Sequence, residues 1–415
     1  MRRHLAPAAA VAVALLISAC GADLSSETAP AAEETPAGGG AASTDGAAAE
    51  GTLTIGASLS LTGIQAPLDE PGLRGAQLAV EVLNADGGIL GREVQLINLD
   101  GASDPVTVGN NTVELVGQGA EAIIAPCDFD FGGPASREAQ SAGLVGISTC
   151  ASSPLYNSEN LGDKQFTLSM WNTTMGAAAA EWGSTEQGWQ TAYVVTDTFI
   201  DYTLSLSEYF ATSFEGLGGE ILGEDTYTQG DQDFSAQLQR LQALPEEPDV
   251  IFVSSYMPDL GLIIREIRAA GIQAPILGGD SYDDPALLEV LGEEYGADVS
   301  YATHSYLSEE AGPLVADFLT AYEEEFGEDP DTALVTTGYD TVMVLAQAME
   351  KAGSTDGDSV AEAMETLDFE LLTGKLSWSS AEEGHEPSKE VAIVTSTGTG
   401  TEFQGWFMPE QVPEP

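Results

Sequence analysis

Positive charge is what this chain lacks most: its 415 residues hold 12 Lys and Arg against 67 Asp and Glu, a formal net charge of −55. Nucleic acid is thereby excluded as a partner, because counterion release from phosphates needs a basic surface. Anionic lipid headgroups would be repelled as well. Such an acidic surface fits two settings: high salt, where screening removes the self-repulsion, or ordinary secretion as a very soluble protein. Histidine is nearly absent, with only His4, His304 and His385, so no histidine cluster can build a metal site. GxSxG elbows, Walker loops and HExxH are missing, which leaves no catalytic constellation and no expected cofactor. Asp100, Asp104, Asp128 and Asp130 lack EF-hand spacing and are spread over separate loops. Enzyme activity is therefore not expected.

The leading apolar run, from about Leu5 to Ile17, is too short to span a bilayer comfortably. It follows Arg2 and Arg3 and ends in Ser18-Ala19-Cys20-Gly21, the layout of a signal peptide. The string LISAC resembles a bacterial lipobox, which implies removal of residues 1–19 and a lipid on Cys20. Residues 20–51 are mostly Ala, Gly, Glu, Thr, Ser and Pro. They cannot bury enough apolar surface to offset their ordering entropy and read as a disordered tether. Folded structure is expected from about Leu53.

The most informative stretch is 123–154, IIAPCDFDFGGPASREAQSAGLVGISTCASSP. An apolar run, Ala122 to Ala125, is stopped by Pro126. A helix is expected from near Pro134, with Ala135, Ala139 and Leu144 inward. A second run, Leu144 to Ile147, ends in the small polar string Ser148–Ser153. This is a βαβ unit of a parallel sheet, whose loops leave the carboxyl ends of neighbouring strands. Open α/β sheets bind ligands there, so the loops read as a pocket wall or, more blandly, as surface turns.

The same alternation runs on either side. Strands are expected at Leu53–Leu59 and Val94–Leu99, with a helix from about Pro71 whose Gly75 would allow close packing on the sheet. It restarts with strands at 192–196, 220–227, 250–254 and 275–278, and with helices around 202–214, 234–244 and 259–270. Helices at 314–326, 335–351 and 360–367 must pack back onto these two lobes. The fold class is α/β, two doubly wound, mostly parallel lobes facing one another across a cleft.

The strings LSLTG, LRGAQLAVEVLNADGGILGREVQLI, DFSAQLQRLQALPEEPDVIFVSSY and LGGDSYDDPALL resemble type I periplasmic binding proteins, in particular the branched-chain amino-acid receptors of ABC importers. The resemblance covers about 53–407. It implies a Venus-flytrap with lobe one at 52–168 plus 304–370, lobe two at 169–303 plus 371–410, and crossings near 168, 303 and 370. It also implies a monomer that delivers a small-molecule ligand to permease subunits, held to the membrane through Cys20. In that family, hydroxyls and backbone N–H groups of lobe one hold the ligand's carboxylate, and lobe two supplies an acid for its ammonium. On this sequence the lobe-one positions match Cys150, Ala151 and Ser152, and the acid matches Asp280. Tyr202 and Tyr256 are lobe-two walls or ordinary core tyrosines.

Three departures stand out. Asp128, Phe129, Asp130 and Phe131 replace the expected serine-rich loop, and Leu68 stands where the first loop usually carries an aromatic. Acids there disfavour an anionic ligand, so an amide, urea-like or cationic group gains weight, and the phenylalanines could stack on an aromatic ligand. Ser103 replaces the family's disulfide partner. Cys127 and Cys150 instead follow strands expected to be adjacent, where a bridge could form outside the cytoplasm. A ligand-sensing domain of the same fold is the rival reading, and the absence of a signalling segment after 407 argues against it.

Overall fold

The structure is a computed structural model and describes residues 51–415 except Gln232. The leader, Cys20 and most of the tether lie outside the described residues. Along the chain run β1 (Leu53–Ala57), α1 (Ala66–Ala85), β2 (Val94–Asn98), α2 (Pro105–Gly117), β3 (Ala122–Ala125), α3 (Phe129–Ser141), β4 (Val145–Ser148), α4 (Ser158–Leu161) and β5 (Gln165–Thr167). These strands form one parallel sheet in the order β2-β1-β3-β4-β5. β3 and β4 are buried at every position, as strands covered by helices on both faces must be.

Then come α5 (Asn172–Thr185), β6 (Thr191–Asp197), α6 (Asp201–Gly216), β7 (Glu220–Tyr227), α7 (Ser235–Gln242), β8 (Val250–Ser254), α8 (Asp259–Ala269), β9 (Ile276–Gly278), α9 (Pro285–Tyr295) and β10 (Ala297–Thr303). The chain continues through α10 (Pro313–Phe326), α11 (Leu334–Ala352), α12 (Gly357–Thr366), β11 (Phe369–Leu371), β12 (Gly374–Trp378), β13 (Pro387–Lys389), β14 (Val391–Thr397) and β15 (Thr401–Phe407). The second sheet runs β15-β14-β10-β9-β8-β6-β7, parallel from β10 to β7 and closed by an antiparallel edge, β14 and β15. This is the expected α/β architecture of two doubly wound lobes.

Three local expectations change. α3 starts at Phe129 and takes Pro134 inside, so the proline is not its first residue. α1 likewise starts at Ala66, ahead of Pro71, because Pro67 already supplies the preorganised first turn. Gly75 does not pack on the sheet. A Cβ there would come within 1.8 Å of the Val335 carbonyl oxygen, so the close approach is between α1 and α11.

The chain leaves the first sheet after β5 and returns to lobe one after β10. The third crossing falls at Glu390, between β13 and β14, beyond the expected position near 370. The reason is burial. Phe369, Leu371, Leu376 and Trp378 put their side chains into the core made by β1, β3, β4, α1, α11 and α12. The small β11-β12-β13 sheet thus belongs to lobe one. Among the described residues no helix is long and apolar enough to cross a membrane.

Candidate functional site

The loops after β3 and β4 are tied together covalently: Cys127 and Cys150 form a disulfide, with Cα atoms 4.7 Å apart. Immediately beyond Cys127, Asp128 takes a positive φ of 64°. That region is uncommon for residues other than glycine, and Asp is among those that tolerate it. The turn aims the carboxylate at lobe two, where the Tyr256 hydroxyl, in the loop after β8, donates to Oδ1 at 2.9 Å and Oδ2 at 2.8 Å. From its own lobe, Gln65 Nε2 donates to Asp128 Oδ2 at 2.7 Å. Burial pushes the Asp128 carboxyl up to about 7, with Asp280 and Asp130 adding repulsion against its donors' pull.

Lobe two answers with Asp280, which follows β9 and is 5% exposed. Its Oδ2 accepts from His304 Nε2 at 2.8 Å. The preceding Gly279 leaves room for the Tyr202 hydroxyl, which a Cβ there would approach to 2.4 Å. Tyr202 and Tyr256 lie side by side with ring centroids 5.2 Å apart. Both phenols are pushed well up, chiefly by burial and then by the nearby carboxylates, so they remain hydrogen-bond donors.

One buried cluster, spanning both lobes, unites several of the expected site residues. It contains Leu68, Cys127, Cys150, Tyr202 and Tyr256, with Phe131 and Met170. Phe129 is not part of it: its ring packs with Ala151, Tyr156 and Leu161 and beneath the Arg137 guanidinium. The helical phase of α3 explains the exchange, since residues two apart face different sides. Asp130 is exposed at the rim, where its carboxylate accepts from the Asp201 backbone N–H of lobe two at 3.2 Å. Ala151 has its carbonyl bonded by Thr167 Oγ1 at 2.7 Å and its N–H donated to Ser148 Oγ. Ser152 is 1% exposed, and its hydroxyl has no hydrogen-bond partner. Gln65 Oε1 and His304 Nδ1 are likewise buried and unpartnered.

Sequence reasoning missed Gln65, Asp69 and His304. Asp69 is fully buried in the first turn of α1, accepting from the backbone N–H groups of Ser60 at 2.8 Å and Cys127 at 2.9 Å. Burial raises its carboxyl to about 7. An acid between Leu68 and the helix interior was the available signal, since a buried carboxylate needs such donors. Among the described residues no group of three His, Cys, Asp or Glu is placed to hold a metal ion.

Two α/β lobes with strand-end loops meeting across a cleft define a ligand-binding protein of the periplasmic type. The family model described as "Periplasmic binding protein" matches residues 52–401, and the chain belongs to that family. It is 27% identical to the Leu/Ile/Val-binding protein BraC3 of Rhizobium johnstonii over 317 residues, 76% of this chain and 84% of that one. Among solved structures it resembles the leucine binding protein LivK of Thermotoga maritima, with TM-score 0.77, 28% identity and coverage of 86% and 99%. It also resembles LivJ of Streptococcus pneumoniae in complex with isoleucine, with TM-score 0.76, 25% identity and coverage of 88% and 100%. The last of these is a branched-chain amino acid transporter substrate binding protein, and the family to which this chain belongs is one of binding proteins, not enzymes.

Proposed function

We propose that this protein is an extracytoplasmic, lipid-anchored binding protein that takes a branched-chain amino acid or similar small polar solute between its lobes and delivers it to an ABC permease. The observation that carries this reading is the buried Asp128–Tyr256 hydrogen bond between the lobes, with an unpartnered Ser152 hydroxyl buried in lobe one and Asp280 buried in lobe two. A solute seated there touches both lobes, so binding shifts the open–closed population toward the closed form that a permease recognises. In this account Asp280 meets the ligand's ammonium, and the Ser152 hydroxyl and the 150–152 backbone meet its other polar end. Leu68, Tyr202 and Tyr256 supply apolar wall, while Phe129 shapes the 151–161 loop from behind. Lobe one is then 52–168 with 304–389, and lobe two is 169–303 with 391–410. The chain acts as a monomer, held to the membrane through Cys20.

Mass spectrometry of the solute that accompanies the purified protein tests the reading: one amine-bearing small molecule per chain is expected. A solute without nitrogen would contradict the amine assignment. For the anchor, Cys20→Ser should move the protein from the membrane fraction to the soluble fraction. A variant that stays membrane-bound removes the lipid from the account.

A further inference from the structure

The lobe-one end of the cleft is rich in acceptors and poor in donors. Asp128 brings a carboxylate into it, and Gln65 Nε2 and the Tyr256 hydroxyl are both spent on that carboxylate, which leaves the buried Ser152 hydroxyl as an unspent side-chain donor. The orientation of Gln65 is fixed by its partner, because a carboxylate oxygen takes the amide NH2 and not its carbonyl. Gln65 Oε1 is then left as a second acceptor, fully buried and without a partner. Asp128 thus stands in for the carboxylate that an amino-acid ligand would bring, and it has taken the Gln65 and Tyr256 donors, leaving the neutral Ser152 hydroxyl. The other end of the cleft carries Asp280, close enough to Asp128 for the two charges to repel. A free amino acid would add a third carboxylate beside Asp128 and Asp280 with one neutral hydroxyl to meet it, at the steep cost of a poorly paired buried charge. A ligand with nitrogen donors at both ends satisfies Asp280, Asp128 and Gln65 Oε1 together.

We infer that the interlobe site selects small solutes that carry an ammonium but no free carboxylate, with an amide or second amine turned toward Asp128 and Gln65. This rests on the interlobe binding reading above and narrows its ligand class from amino acids and similar solutes to the carboxylate-free solutes alone. Asp128 is then the specificity-determining residue.

Calorimetry with matched acid and amide pairs tests it: L-leucine against L-leucinamide, L-phenylalanine against L-phenylalaninamide, and 1,5-diaminopentane as a dication. The full-length mature protein is used, together with Asp128→Ser and Asp280→Ala. At least one amide or the diamine should bind the unaltered protein ten or more times more tightly than either free amino acid. In Asp128→Ser the order should reverse, because Gln65 Nε2 and Tyr256 become available to a ligand carboxylate. Circular dichroism checks that both variants are folded. Free amino acids binding as well as their amides, an unchanged order in Asp128→Ser, or no binding by any probe would each overturn the inference. The broader reading fails separately: it falls if bound probe is insensitive to Asp280→Ala. Leucine bound by the unaltered protein and lost in Asp280→Ala sinks the inference and leaves the interlobe site standing.

Discussion

The Asp128 carboxylate of lobe one and the Tyr256 hydroxyl of lobe two are joined across the cleft at 2.8 Å, both residues being at most 5% exposed. A hydrogen bond to a charged group is worth about 1.5–3 kcal/mol, and this one exists only when the lobes are together. It therefore biases the open–closed equilibrium. Tyr256→Phe keeps the ring and removes the donor, so the ligand-free protein should sample the open form more. Small-angle scattering should report a larger radius of gyration for the variant, and ligand affinity should fall about tenfold or more. An unchanged radius and affinity would show that this bond contributes nothing to closure.

The bridge between Cys127 and Cys150 closes a loop of sequence separation 23. Cross-linking a loop of that size removes denatured-state entropy equivalent to about 3 kcal/mol. The double variant Cys127→Ser with Cys150→Ser should unfold at lower denaturant by about that amount. Non-reducing peptide mapping of the native protein should recover the two cysteines in one linked fragment. Recovery of both as thiols, or a variant of equal stability, would contradict the prediction.

Buried carboxyls set the pH response. Asp128 and Asp69 are raised from 3.8 to about 7, each mainly by burial. Around Asp128 stand Gln65 from the start of α1, Tyr256 and Asp280 from lobe two, and Asp130 from α3; Asp69 lies close enough to repel Asp128. A carboxyl with a raised folded pKa binds its proton more tightly in the native state than in the unfolded one. Its penalty on the fold is absent below about pH 4, grows through the window between the two values, and is complete above about pH 7. The ligand-free protein should therefore melt at higher temperature as pH falls from about 8 to about 5, with Asp128→Asn flattening part of that slope. A melting temperature that falls steadily across this window would contradict it.

What could be read along the chain follows from the range of the interactions involved. The β3–α3–β4 unit was legible because its signals are local, two apolar runs separated by Pro126 and a small-residue helix. Asp280 was reachable through its place at the end of a strand. Gln65 and His304 were not, because each is defined by a partner distant in sequence, Asp128 and Asp280 respectively. The third crossing was not legible for the same reason: β11–β13 are tied to lobe one by long-range contacts such as Trp378 against Phe166, with Phe369 packed on Trp378. Phe131 joins the buried interlobe cluster and Phe129 packs behind it, a difference set by where α3 begins, which Pro134 does not mark. β15 has no fully buried position and no apolar run to mark it.

The central claim is that a ligand's positive end is held across the cleft by Asp280. Calorimetry on Asp280→Ala and Ser152→Ala, using the solute that accompanies the purified protein, tests it most directly. Removing the partner of a buried charge costs about 3–5 kcal/mol, whereas one neutral hydroxyl contributes about 1 kcal/mol. Since about 1.4 kcal/mol is a factor of ten in affinity, Asp280→Ala should weaken binding at least a hundredfold and Ser152→Ala by about tenfold or less. Equal, small losses at both positions would contradict the account and place the ligand elsewhere.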